Sequence, residues 1–103
     1  MDDPIEEVHK FVRSIPVGKV ATYGQIADSI DTCRLTARMV GSIMRECPME
    51  VPWHRVVGAG GHLPVGKRSP QLAIKQRELL AIEGVSFRKN GAIDMEMSQY
   101  EEY

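Results

Sequence analysis

The segment from Val51 to Val57, with the sequence VPWHRVV, contains the only tryptophan of the chain, Trp53. This indole stands between a proline and a histidine, and a glycine-rich stretch follows at residues 58–66. An aromatic side chain in such a place either packs in the core or lines a functional surface. Because buried aromatic residues usually serve packing, this segment alone favours a core indole at the start of a strand.

The other side chains with distinctive chemistry are two cysteines, Cys33 and Cys47. They are not arranged as Cys-x-x-Cys, so their spacing indicates neither a disulfide scaffold nor a zinc finger. We therefore expect no metal site and no cofactor.

Four helices are predicted, and each begins after a residue that can cap its first turn. They are residues 4–15 after Asp3, 23–30 after Thr22, 37–46 after Thr36, and a last helix after Ser69 that ends at Gly84. Proline at the first helical position strengthens the first and the last of these predictions. The second and third helices, joined by a short turn, form a helix-turn-helix candidate, although most helix pairs in small domains bind nothing.

The rest of the chain predicts short strands and loops around these helices. Residues 54–57 predict a short buried strand, and residues 58–66 a loop. Asn90-Gly91 predicts a type I′ turn within a terminal hairpin. The last helix is expected to bury an apolar face formed by Leu72, Ala73, Leu79, Leu80 and Ile82. The fold class is therefore α+β and mostly helical, with a winged-helix-like helix-turn-helix and a C-terminal β-hairpin.

A length of 103 residues suits one small domain over residues 1–103 and is too short for two. No apolar run approaches the roughly 20 residues needed to cross a bilayer. The first residues, Met1-Asp2-Asp3-Pro4, are acidic where a signal peptide would be basic. We therefore expect no membrane partner and a cytoplasmic location, associated with the nucleoid in a bacterium.

The formal net charge of −1 conceals an uneven distribution along the chain. Residues 1–9 and 94–103 contain 8 of the 14 acidic residues and none of the 13 lysines and arginines. Residues 10–93 consequently have a net charge of +7. A basic body between acidic ends is compatible with a polyanionic partner, although charges dispersed over a solvated surface give the same sum.

Four motifs follow one another in a distinctive order. They are GKVATYGQIA at residues 18–27, ARMVG at 37–41, VPWHRVV at 51–57 and RELLAIEG at 77–84. Together they resemble the DNA-binding domain of the O6-alkylguanine-DNA alkyltransferases, over about residues 5–90. Several separate motifs in the right order make this resemblance far more specific than any one of them.

The chain departs from that family at one decisive position. The alkyltransferases have Pro-Cys-His-Arg, in which the cysteine accepts the alkyl group, whereas this chain has Trp53 there. An indole has no ionisable thiol and cannot serve as the acceptor. The resemblance therefore implies the alkyltransferase-like branch, whose members bind the lesion without removing it, and predicts that the protein is not an enzyme. A second departure is Cys47, where the alkyltransferases usually have an asparagine.

The resemblance implies a role for the helix-turn-helix in base flipping, since an alkyl group on O6 is buried until its nucleotide is rotated out of the duplex. Tyr23 would crowd the phosphate of the target nucleotide, and Arg38 would fill the vacated stack and pair with the orphaned base. Ala37 and Gly41, one turn apart, would let the third helix approach the minor groove closely. Without the resemblance, Arg38 is equally well a solvated charge and Tyr23 a core aromatic.

The resemblance also implies a lesion pocket. Trp53 would offer an apolar surface to the alkyl group, and Val51 and Pro52 would shape the pocket. The loop that ends at Ser69 would cover the lesion, with Arg68 stacking on or hydrogen-bonding to the flipped guanine. The alternatives for Arg68 are a plain phosphate contact and a solvated charge.

Three further residues correspond to the surroundings of the missing nucleophile. His54 and Glu83 match the pair that activates the cysteine by proton relay, and here they are expected to form a buried pair that braces the pocket. Arg55 is expected to be structural and to tie the third helix, which is the recognition helix of the helix-turn-helix, to this segment.

The leading hypothesis is a monomeric, non-enzymatic sensor of O6-alkylguanine in double-stranded DNA that marks the lesion for nucleotide excision repair. The recruitment of repair proteins is implied by the resemblance alone. One alternative is a generic helix-turn-helix regulator, whose binding would depend on DNA sequence. Another is residual alkyl transfer by Cys33 or Cys47, neither of which stands beside His54 in the motif.

Overall fold

The first helix follows its sequence signals closely. The computed structural model describes residues 3–48, 50–63 and 69–101. Helix α1 (Pro4–Ser14) begins after Asp3, whose carboxylate accepts a hydrogen bond of 2.9 Å from the amide of Ile5. The predicted cap is therefore confirmed, and the apolar side of the helix buries Val8 and Val12 completely.

The helix-turn-helix is formed by α2 (Tyr23–Ser29) and α3 (Ala37–Arg45), which pack against each other. Threonine caps both helices: the hydroxyl of Thr22 accepts from the amide of Gln25 at 3.0 Å, and that of Thr36 accepts from Met39 at 3.2 Å. These caps satisfy amides that a helix start otherwise leaves without partners. Both predicted starts are confirmed.

Two short strands, β1 (Ala21–Thr22) and β2 (Val56–Val57), pair in parallel, with Ala21 opposite Val56. The predicted strand at residues 54–57 is therefore wrong in its first half, because Trp53–Arg55 forms one turn of 3-10 helix. A strand would send consecutive side chains to opposite faces, whereas this turn lets His54 and Arg55 reach the same carboxylate.

The last long helix, α4 (Pro70–Ile82), begins after Ser69, whose hydroxyl accepts from the amide of Leu72 at 3.3 Å. Leu80 is fully buried, but Ile82 is 82% exposed, so its predicted place on the buried face is wrong. Two residues along a helix correspond to about 200°, which turns Ile82 away from the side that Leu80 packs.

The C-terminal hairpin is short: Phe87 and Ile93 form a single antiparallel bridge. The predicted type I′ turn is wrong, because that turn needs positive φ at both central residues and Asn90 does not have it. Instead the amide of Gly91, at φ +90°, closes a turn on the carbonyl of Arg88 at 2.9 Å. The chain then enters a short helix, α5 (Met95–Ser98), rather than extending the hairpin.

The small sheet separates two groups of buried side chains. Ala21 and Val56 belong to the first group, the core group beneath α1, α2 and α3. Val20 and Val57 belong to the second group, with Leu80 and the hairpin. Strand β2 thus contributes one residue to each side of the core, and so do Ala21 of β1 and Val20 directly before it. In the part of the chain that the structure describes, no helix has the length and apolarity needed to cross a membrane.

Gly61 provides a test of the contact between the 3-10 turn at Ala59–Gly61 and the hairpin. At φ +85°, an added Cβ would lie 2.5 Å from the carbonyl oxygen of Ile93. At Gly60, φ is +75° but the nearest atom to such a Cβ is 3.6 Å away. We expect Gly61→Ala to lower the free energy of unfolding by about 3 kcal/mol and the control Gly60→Ala by about 1 kcal/mol, as urea unfolding would measure. Equal losses would show that the close approach to Ile93 is unimportant.

Candidate nucleic-acid interface

The outer face of α3 is open and carries small and basic residues. Ala37 and Arg38 are exposed, and a Cβ added at Gly41 would meet no atom within 4 Å. Arg34 and Arg45 are also exposed, just before the helix and in its last turn. This face can therefore approach a polyanionic backbone closely while its guanidinium groups contact phosphate or stack.

Tyr23 is the first residue of α2 and lies directly after the cap residue, Thr22. Its side chain is half-buried and packs against the core group beneath α1, α2 and α3. Since Thr22 also pairs with Val57 of β2, the backbone directly before Tyr23 is held by the sheet. The tyrosine is thus neither a fully buried core residue nor a loosely held surface residue.

Trp53 lies on the 3-10 turn and is half-buried. Its ring meets that of His54 edge-on, at 6.3 Å between centroids and an interplanar angle of 86°. Among the described residues, it belongs to neither buried group, so the interpretation of Trp53 as a core indole is wrong. Pro52 is half-buried beside it, whereas Val51 is fully buried in the core and supports the turn from beneath.

The carboxylate of Glu83 joins the turn to the end of α4. Nε and Nη2 of Arg55 donate to its two oxygens at 3.0 and 2.9 Å, and Nε2 of His54 lies 2.7 Å from Oε2. All three side chains are 12–15% exposed. The expected pair of His54 and Glu83 is present and is mostly buried, and Arg55 makes it a three-residue network.

The pKa of Glu83 reflects this network. Burial by itself raises the pKa, but hydrogen bonds from Arg55 and His54, together with their charges, lower it to about 2. Glu83 is therefore ionised at neutral pH, and it holds both of its partners in fixed orientations.

Arg55 contacts a different element from the one expected. Its Nη1 donates at 2.8 Å to the carbonyl of Ile15, at the C-terminal end of α1, and not to the recognition helix α3. The end of a helix offers carbonyl groups without intrahelical partners, which suit a guanidinium. Gly18, in the following turn, donates its amide to Glu83 Oε1 at 3.4 Å. The network therefore ties the Trp53 turn to α1 and α4.

Ser69 and Arg68 belong to the loop that was predicted to cover the lesion. Ser69 is half-buried and caps α4, so its hydroxyl has a structural partner. Arg68 lies outside the described residues. The predicted contacts of the covering loop with a lesion therefore stay predictions.

Cys47 packs against the core group beneath α1, α2 and α3. Burial raises the pKa of its thiol, and the charge of Arg13 only partly offsets this effect. Cys33 is half-buried against the same group, and both cysteines are free. A raised pKa leaves little thiolate on Cys47 at neutral pH, which makes it a poor nucleophile.

A family model described as "6-O-methylguanine DNA methyltransferase, DNA binding domain" matches residues 4–85 of this chain. The chain belongs to this family. The resemblance based on the four motifs is therefore confirmed.

Relatives within this family include both base-flipping proteins and methyltransferases. The DNA base-flipping protein of Escherichia coli is 37% identical over 93 residues, which cover 88% of this chain and 69% of that protein. The alkyltransferase-like protein 1 of Schizosaccharomyces pombe is 39% identical over 88 residues, covering 82% and 79%. A methylated-DNA–protein-cysteine methyltransferase of Saccharolobus solfataricus is 42% identical over 80 residues, but these cover 76% of this chain and only 48% of that enzyme.

The fold agrees with this membership. The crystal structure of S. pombe Atl1 in complex with damaged DNA containing O6-carboxymethylguanine superposes with a TM-score of 0.83 and 31% identity. The match covers 99% of this chain and 98% of that one. The predicted α+β, mostly helical class with a helix-turn-helix is confirmed.

One positioning residue of this family member was missed in the sequence. Gln76 is 2% exposed, and its Nε2 donates to the carbonyls of His54 and Val56 at 3.1 and 3.0 Å. It thus holds both the 3-10 turn and the start of β2. The sequence indicated this role by placing a polar residue four positions before Leu80, on the buried side of α4.

The Glu83 network predicts a pH-dependent stability. The pKa of Glu83 is about 2 in the folded protein and about 4.5 in the absence of the fold, so its contribution is present above about pH 4.5 and disappears as the pH falls toward 2. We expect Glu83→Gln to lower the free energy of unfolding by about 3 kcal/mol at neutral pH, and by progressively less over that acidic range. Urea unfolding at several pH values measures both effects.

Glu78→Gln, at an exposed position of the same helix, is the matched control and should change stability little. A difference between Glu83→Gln and wild type that stayed constant from pH 7 to pH 2 would contradict the assignment of a lowered pKa to Glu83.

Proposed function

We propose that this protein is a DNA-binding sensor that holds O6-alkylguanine beside Trp53 and does not remove the alkyl group. The observation that carries the proposal is the half-exposed Trp53 on a turn braced by Glu83, at the position of the acceptor cysteine in the alkyltransferase motif. The membership of the family and the likeness to a structure that contains O6-carboxymethylguanine support it.

DNA binding is assigned to the outer face of α3. In this proposal, Ala37 and Gly41 let the helix backbone approach the minor groove, while exposed arginines around them contact the DNA backbone. The minor groove displays a degenerate pattern of donors and acceptors, so docking there is tolerant of sequence. A protein that searches for damage in any sequence needs this tolerance.

Base flipping is assigned to Tyr23 and Arg38. The half-buried Tyr23, fixed at the start of α2, would press on the target nucleotide. The exposed guanidinium of Arg38 would replace the rotated base in the stack, since its planar group stacks and donates hydrogen bonds together. The E. coli relative is a DNA base-flipping protein, which supports this assignment.

The flipped base would then lie against Trp53 and Pro52. A half-exposed indole offers a flat, apolar surface to an alkyl group, and aromatic contacts of this kind add to the gain from burial. The covering loop, with Arg68 and Ser69, would close over the lesion.

Several features support recognition without alkyl transfer. Trp53 has no thiol, and Cys47, with its raised pKa, is a poor nucleophile. Nε2 of His54 is held by the carboxylate of Glu83, to which Arg55 also donates, so the histidine serves to brace the turn in this proposal. No cofactor is part of this proposal.

A sensor that leaves the lesion in place requires a second protein to remove it. We assign that role to nucleotide excision repair, with the sensor acting as a monomer on the DNA of the cytoplasm or nucleoid. A generic helix-turn-helix regulator is the competing function, since the exposed basic face of α3 would also serve it.

A fluorescence titration tests lesion recognition, because Trp53 is the only tryptophan. With matched duplexes that contain guanine or O6-methylguanine, we expect Trp53 emission to change and the modified duplex to bind at least about tenfold more tightly, equivalent to about 1.4 kcal/mol. Equal affinities, or affinities that follow the flanking sequence, would favour the regulator. Mass spectrometry of the same mixture should find no methyl group on the protein, and its appearance there would restore the enzymatic alternative.

Arg38→Ala tests the stack-filling role. We expect the variant to bind the O6-methylguanine duplex more weakly by about 1–3 kcal/mol, because a stacking and pairing contact is lost. The control is Arg45→Ala, an exposed arginine in the last turn of the same helix. If the two variants lose the same affinity, Arg38 contributes only its charge.

A further inference from the structure

The segment from Ser98 to Glu101 lies beyond residue 85, where the match to the family model ends, yet it is bound to the centre of the fold. Val20 donates its amide to the carbonyl of Ser98 at 2.8 Å and accepts from the amide of Tyr100 at 2.7 Å. Val20 and Gln99 therefore form a parallel bridge beside β1. This segment, the C-terminal clamp, reaches the strand that leads directly into Tyr23.

Gln25 connects the C-terminal clamp to the first turn of α2. Its side-chain Nε2 donates to the carbonyl of Tyr100, and its Oε1 accepts from Nε2 of Gln99 at 3.0 Å. Its backbone amide donates to the hydroxyl of Thr22, which caps the helix. The side-chain nitrogen and oxygen of Gln25 are thus both hydrogen-bonded to the clamp, two residues after Tyr23.

An aromatic contact holds the clamp in place. The rings of Tyr100 and Phe11 meet edge-on, with centroids 5.9 Å apart and an interplanar angle of 68°. Tyr100 also packs against the core group beneath α1, α2 and α3. The carbonyl that Gln25 engages is therefore on a backbone fixed by the core, and not on a loose end.

This arrangement compensates for the shortness of α2, which has only seven residues. So short a helix has little stability of its own, and its first turn has the fewest intrahelical hydrogen bonds. A side chain that must displace a nucleotide needs a backbone that does not yield. The rigidity of the turn that carries Tyr23 must therefore come from contacts outside the helix.

We propose that Gln25 is a positioning residue for base flipping, and that the C-terminal clamp, through Gln25, holds the turn from which Tyr23 presses on the target nucleotide. This inference rests on the proposed function. The clamp lies outside the four motifs, and this role is the first assigned to it. DNA docking by α3 and nucleotide rotation by Tyr23 then depend on different contacts.

The test measures docking and flipping separately. A duplex contains O6-methylguanine next to 2-aminopurine, whose emission rises when the neighbouring base leaves the stack. At saturating protein, we expect wild type to raise this emission and Gln25→Leu to lower the ratio of flipped to stacked nucleotide about fivefold, since both side-chain hydrogen bonds are lost. Affinity for the undamaged duplex should change less than about twofold, because α3 is untouched.

Two further variants complete the design. Gln99→Ala removes one of the two side-chain bonds of Gln25 and should lower the flipped ratio by a smaller factor, which also provides a milder variant if Gln25→Leu does not fold. Gln71→Leu, at an exposed position of α4, is the matched control and should behave as wild type.

The outcomes are distinct. If Gln25→Leu and Gln99→Ala both flip the nucleotide as well as wild type does, the positioning role of the clamp is overturned. The proposed function then still stands. The same conclusion follows if these variants lower only the free energy of unfolding. If wild type itself leaves the emission unchanged, the proposed base flipping fails, and the positioning role of Gln25 fails with it.

Discussion

The burial of one charge organises this protein. Glu83, at the end of α4, would be costly to bury alone, and the pairing of its carboxylate with the fork of Arg55 and the ring of His54 offsets that cost. Because Arg55 also reaches the carbonyl of Ile15, the same interaction joins the ends of α1 and α4 to the turn that presents Trp53. The network braces this turn, and the side chain beside His54 is the half-buried indole of Trp53.

A sheet of only two residues per strand then sets the spacing of the site. Tyr23 follows β1 directly, and the turn that ends at Arg55 directly precedes β2. Because the strands pair in parallel, Tyr23 leaves the C-terminal end of this sheet, and the turn that ends at Arg55 enters it at the opposite end. The residue assigned to rotate a nucleotide and the turn assigned to receive it are therefore positioned by the same pair of strands. Gln76 donates hydrogen bonds to the turn and to β2, and Gln25 donates one to the carbonyl of Tyr100, so both ends of this arrangement are held.

The parts of the fold that could be predicted depend on local chemistry. A hydroxyl or carboxylate followed by free helix amides marks a helix start wherever it occurs, so Asp3, Thr22, Thr36 and Ser69 all cap as expected. The incorrect predictions concern residues whose position depends on contacts with distant parts of the chain. Ile82 points to solvent because its helix turns only one side to the core, and the segment before β2 is a turn because two adjacent side chains must reach Glu83.

By itself, the sequence determined the family and the starts of the first four helices, because motifs and caps consist of neighbouring residues. Only the tertiary structure decided which distant groups these residues meet. The partner of Arg55 is the end of α1 and not α3, Gln76 is buried although polar, and Gln25 is held by residues 74 and 75 positions away. Such pairings depend on how the helices pack and on which carbonyls are left without partners, and no local pattern records either.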